Sequence, residues 1–267
     1  MTAMKRGLVV AIVAALALAP TAAFAEDSTD TPLRDRPTDL VTDAETDLRG
    51  DSLEELKERA LETIEKSLAA LGGLRAAIGR SPYITDGHAA QLLRDINAAA
   101  DGLQELARKI EAATTPEELR PLIEAIPGFQ IGHVLAPKTH QVIVSDSMVA
   151  IGGKLKRFAD KLEGLIARAE EAGYDVDEAW RMLESMNDHI AEGVRLADPV
   201  AEAVIGLQPE DWPEPAKSVL GKGRSDLHAA GGNLRSAYAT GKEIVQFLRG
   251  LFDGTDLSAE VSDVIPG

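Results

Sequence analysis

The chain has 267 residues, 45% of them hydrophobic, 4% aromatic and 27% charged, a balance that suits a packed interior and excludes low-complexity or collagen-like sequence. Acidic residues outnumber basic ones 44 to 28, and a net charge of -16 repels phosphate backbones, which argues against general nucleic-acid binding. With no cysteine, disulfides, thiolate metal centres, c-type haem attachment and cysteine nucleophiles are all excluded.

Lys5 and Arg6 precede an apolar run from Leu8 to Leu18, followed by Pro20 and the small-residue pattern Ala23-Phe24-Ala25. This pattern predicts a secretory signal peptide over residues 1–25, cleaved before Glu26, and an exported protein: periplasmic, cell-envelope-associated or secreted. The run is shorter than the ~20 residues a membrane span needs, and no later segment is long and apolar enough, so no transmembrane segment is expected after processing. Residues 26–51 carry nine acidic residues, five threonines, three arginines and two prolines, and read as a disordered acidic leader. Arg49-Gly50-Asp51 within it resembles an integrin-recognition tripeptide, a match so short that chance accounts for it.

Ser52 followed by Glu55 is a capping box that opens the first helix near Leu53. Leu61, Ile64, Leu68, Leu71, Leu74 and Ile78 then recur at spacings of three and four until Gly79 and Ser81-Pro82 stop the pattern. A second stripe, from Ala89 through Leu92, Ile96, Ala99, Leu103, Leu106 and Ile110 to Ala113, predicts a helix from about 87 to 113. Thr115, Pro116 and Glu118 start a short third helix, which Pro121 and Pro127 are expected to break. Residues 128–140 mix glycine, proline and isolated apolar side chains and read as a connector packed by Phe129 and Ile131.

The fourth helix shows Val144, Met148, Ile151, Leu155, Phe158, Leu162, Leu165 and Ala169, and ends at Gly173. A fifth begins near Asp175 or Asp177 and runs through Ala179, Leu183, Met186, Ile190, Val194, Ala197, Ala201 and Val204, with Pro199 expected to kink or break it. The sixth follows Pro213 and Pro215 and presents Ala216, Leu220, Leu227, Ala230, Leu234, Ala237, Ile244 and Leu248, with a frayed tail over 253–267. Its glycines, among them Gly221, Gly223, Gly231, Gly232, Gly241 and Gly250, each cost up to about 1 kcal/mol in a helix interior. Close approach by neighbouring helices is the favoured compensation.

These seams predict an all-α fold: an elongated antiparallel helical bundle with coiled-coil-like packing. Aligning the turn at Tyr83 with that at Tyr174 matches Asp86 with Asp177, Leu92 with Leu183, and Asp101-Gly102-Leu103 with Glu192-Gly193-Val194. Either the chain holds two duplicated three-helix units, 52–127 and 141–252, or heptad periodicity alone produces the matches. On the first reading each aspartate caps the second helix of its hairpin and each tyrosine covers the hairpin end.

The familiar catalytic signatures are missing: Glu-x-x-His, His-x-x-x-His, Walker-type phosphate loops and Gly-x-Ser-x-Gly. His189 and Glu192 stand three apart on one predicted helix and form a candidate metal pair. They resemble the histidine and glutamate of the imelysin family, exported helical proteins linked to iron handling, whose Gly-x-His-x-x-Glu motif has Asn187 here in place of its glycine. Met148, Met182 and Met186, with His189 and His228, admit a haem pair in a bundle, although core filling explains the methionines equally. His133 and His140 flank the connector without completing a metal set. Lys154, Arg157, Lys161 and Arg168 fall within about 60° on the fourth helix, and either pair with glutamates of a neighbouring helix or dock an anionic partner.

Gly173-Tyr174-Asp175-Val176-Asp177-Glu178-Ala179 and Leu207-Gln208-Pro209-Glu210-Asp211-Trp212 look like the linkers of uncharacterised exported all-helical bacterial proteins, a resemblance spanning about 140–252 that implies a fold and no activity. Together the features predict a non-enzymatic extracytoplasmic helical scaffold or protein-interaction module, with no cofactor, an unknown extracytoplasmic protein partner and scope for a homo-oligomer through any seam left uncovered. The alternative is an exported metal- or haem-handling bundle.

Overall fold

A computed structural model describes residues 52–251. The signal peptide, acidic leader and C-terminal tail expected from the sequence lie outside the described residues. Six α-helices follow in order: α1 (Leu53–Arg80), α2 (Asp86–Ala112), α3 (Pro116–Ala125), α4 (Ala136–Glu171), α5 (Asp177–Ile205) and α6 (Ala216–Leu251). Short 3-10 turns cover Ile126–Phe129 and Pro209–Asp211, and a π turn covers Ile131–Leu135. Among the described residues there is no strand, so the all-α bundle holds, and no helix there is long and apolar enough to cross a membrane.

The described residues group into two compact units that are not sequential: 52–143 with 201–223, and 144–200 with 224–251. Residues 201–223 thus belong with the N-terminal helices, whereas the sequence pattern divided the chain at the 128–140 connector.

In the first unit α1 and α2 run antiparallel, since Lys57 Nζ donates to the Glu111 carbonyl at 3.2 Å while Arg75 hydrogen-bonds Asn97 farther along. The expected capping box is present: Glu55 N–H donates to Ser52 Oγ, and Ser52 N–H to the Glu55 carboxylate. Ile64, Leu71 and Ile78 are buried seven apart, as a heptad seam requires, while Leu61, Leu68 and Leu74 are only half-buried. On α2 every expected seam residue from Leu92 to Ile110 is buried. The cap of α2 is Thr85, which accepts from His88 N–H at 3.2 Å; Asp86, expected there, sits in the first turn instead. At α5 the corresponding bond runs from Asp177 N–H to Asp175 Oδ1, so Asp177 is not a cap either. Pro121 does not break α3. The N–H it lacks would have bonded the Glu117 carbonyl in the first turn, and its ring is exposed.

In the second unit three helices are packed through one another's glycines. A Cβ on Gly152 of α4 would stand 2.3 Å from Val194, one on Gly193 of α5 would stand 2.9 Å from Leu234, and one on Gly241 of α6 would stand 2.6 Å from Phe158. Taken with the Ser145–Ala197 bond and with Met186 beside Gly241 and Met148 beside Gly231, these pairings set α4 and α5 antiparallel, α5 and α6 antiparallel, and α4 and α6 parallel. The expectation for α6 is therefore met at Gly241 and Gly231, the latter 3.2 Å from Met148, and not at Gly221, Gly232 and Gly250, which face open space. Helix α4 ends on Gly173 at φ 87, with Tyr174 N–H on the Ala169 carbonyl and Gly173 N–H on the Glu170 carbonyl, a Schellman closure. Helix α5 continues through Pro199 rather than breaking there. The carbonyl that loses its donor to Pro199 is that of Arg195, and both residues are exposed, so the missing bond falls on a solvated face of the helix. Close by, the Ser145 hydroxyl of α4 donates to the Ala197 carbonyl at 2.8 Å.

Candidate functional site

The connector expected over 128–140 is almost wholly helical, and it builds the most polar part of the interior. Gln130 adopts a left-handed conformation at φ 45, and its carbonyl accepts from Val134 N–H at 2.8 Å and Leu135 N–H at 3.3 Å. The widened π turn follows. Pro137 has no N–H with which to bond the His133 carbonyl, so the chain enters α4 through i→i+5 bonds, and the proline falls in the first turn, where a missing donor costs least.

This entry points Lys138, Thr139 and Gln141 inward. Lys138 is 0% exposed, and its Nζ donates to Asp95 Oδ2 of α2 at 2.7 Å and to the Leu207 carbonyl just past α5 at 2.6 Å. Gln91 holds the other Asp95 oxygen at 3.0 Å. Gln141 Nε2 donates to the Leu220 carbonyl of α6 at 2.9 Å, and Thr139 Oγ1 returns to the Leu135 carbonyl at 2.7 Å. Below this layer His133 stacks on Trp212 at 4.4 Å and 15°. One ammonium thus ties α2, α4 and the exit of α5, a place where a cation also complements the carbonyl end of a helix. Clamped between a carboxylate and a carbonyl without exposed surface, it is a structural tie rather than an accessible nucleophile.

The candidate metal pair is turned to other partners. His189 Nδ1 meets Asn233 Oδ1 at 3.0 Å, and Glu192 takes Arg195 Nε and Nη2 at 2.7 and 2.6 Å. The Arg195 hydrogen bond holds the Glu192 carboxyl below its usual range and raises Arg195 in turn. No three His, Cys, Asp or Glu side chains among the described residues are arranged to hold a metal ion. His140 is exposed while His133 is occupied by Trp212. Met148 and Met186 are buried against the bare backbone of Gly231 and Gly241, where a flexible thioether fills an irregular gap.

On α4, Arg157, Lys161 and Arg168 are exposed and Lys154 is half-buried. Lys154 keeps contacts within the chain, and Arg168 Nε folds back onto the Gly164 carbonyl at 3.3 Å. The expected pairing with glutamates of a neighbouring helix is not made by Arg157 or Lys161 among the described residues. Sequence reasoning passed over Lys138, although Lys138, Gln141 and Ser145 extend the four-three stripe of α4 backwards from Met148. The chain matches no protein-family model, no curated protein and no solved structure.

Proposed function

We propose that the chain is a non-enzymatic, extracytoplasmic helical scaffold or protein-interaction module. The observation that carries this reading is the use made of Lys138: the one fully buried amine among the described residues serves to lock helices together. The polar chemistry of the interior is spent on architecture, and the remaining charge lies on exposed helix faces, where it can meet a partner. The signal-like N-terminus supports an exported location, and the linker resemblance points the same way.

The test is proximity cross-linking in the envelope fraction followed by mass spectrometry, together with metal analysis and a visible spectrum of the natively purified protein. A reproducible protein partner supports the module. A stoichiometric metal or a Soret band replaces it with the metal- or haem-handling reading.

A further inference from the structure

We infer that the first unit holds one ordered internal water between Gln141 and Lys138, an inference that does not depend on the interaction-module reading. Among the described residues, Gln130 Oε1 and Gln141 Oε1, which stand before and after the π turn, are buried without a hydrogen-bond partner. Gln141 is 4% exposed, so its oxygen has no route to bulk solvent. Turning the amide round does not cure the deficit. Its Nε2 is needed at the Leu220 carbonyl, 2.9 Å away, and a reversed amide would set two acceptors against each other.

Lys138 has the opposite deficit. An ammonium carries three protons, and among the described residues two are accepted, by Asp95 Oδ2 and by the Leu207 carbonyl. With no exposed surface on Lys138, the third is also cut off from bulk solvent. Positions 138 and 141 are three apart on α4, which puts their side chains on one face with Cβ atoms about 5–6 Å apart. A donor without an acceptor and an acceptor without a donor therefore share one buried turn of helix, where polar groups are normally satisfied.

These two deficits together select the occupant. A metal ion or a second ammonium is repelled by Lys138, while chloride is repelled by Asp95 and brings no proton to Gln141. A water accepts from the one and donates to the other, and it is small enough for a close-packed interior. Leaving two buried polar groups unmet costs more than immobilising one water.

Two measurements on the full processed chain test the site. A high-resolution crystal structure should show a density peak about 3 Å from both Gln141 Oε1 and Lys138 Nζ. In solution, magnetic relaxation dispersion of water deuterons counts long-lived internal waters. That count should fall by one in Gln141→Met and in Lys138→Met, since each removes one of the two partners such a water needs, and should not change in Gln104→Met, at an exposed position of α2. Thermal melts control for folding, and the wild-type crystal decides alone should either variant fail to fold. The site is overturned by a missing peak, by a peak that touches only one of the two groups, or by a protein donor bonded directly to Gln141 Oε1. An unchanged count in Gln141→Met overturns it as well.

Discussion

Gly241 and Gly232 lie on one helix and should respond to the same substitution with opposite signs. Phe158 and Met186 occupy the space where a Gly241 side chain would go, so Gly241→Ala forces buried neighbours aside and should destabilise by about 1–3 kcal/mol. Gly232 has open space beside it, and Gly232→Ala should stabilise by about 0.5–1 kcal/mol through helix propensity. Urea midpoints of the two variants check both signs. Lys138→Met should lower stability by about 2–4 kcal/mol because it leaves the part-buried Asp95 carboxylate and the Leu207 carbonyl without their cation, and adding Asp95→Leu should recover part of that loss. No recovery in the double variant would mean that the Leu207 carbonyl, not Asp95, is the partner that matters. The apolar seams could be read from their spacing alone. Lys138 could not, because a lysine in a glycine- and proline-bearing stretch carries the same signal as a solvated loop. Only Asp95 and the Leu207 carbonyl, both distant in sequence, make its burial intelligible.

Helix boundaries were legible wherever a cap residue closes them, the side chains of Ser52 and Thr115 and the left-handed backbone of Gly173. Proline was a poorer guide: Pro127 does lie just past the end of α3, but Pro121 and Pro199 lie inside helices, where both are exposed and the missing bond faces solvent. The two hairpin turns, whose sequence likeness suggested duplication, are closed by different devices: an extended Ser81 after α1 and a left-handed Gly173 after α4. The caps also make a pH prediction. Hydrogen bonds from Ser52 and Thr114 hold Glu55 and Glu118 below the ordinary glutamate value of 4.5. A carboxyl whose folded value is depressed contributes fully above the unfolded value and loses that contribution as pH falls through the folded one. The first turns of α1 and α3 should therefore lose amide protection as pH falls below about 4.5, while the Schellman end of α4, which uses no carboxylate, should not. Glu55→Gln should remove the effect at α1 alone, as read by hydrogen exchange.

At the scale of the whole molecule, the interleaved units imply that the chain cannot be cut at its apparent connector. A fragment of residues 52–143 lacks the carbonyls that receive Lys138 and Gln141, and should show helical circular dichroism without the dispersed amide spectrum of a packed interior. Supplying residues 144–251 in trans should restore that dispersion; a fragment that folds cooperatively alone would refute the dependence.

The return of residues 201–223 to the first unit also dictates an order of events during synthesis. A polypeptide born amino end first holds its earliest helices ready long before their last strut exists, and neither half can lock until the final helix has emerged. Such lateness should keep the newborn chain pliable until its synthesis is nearly complete.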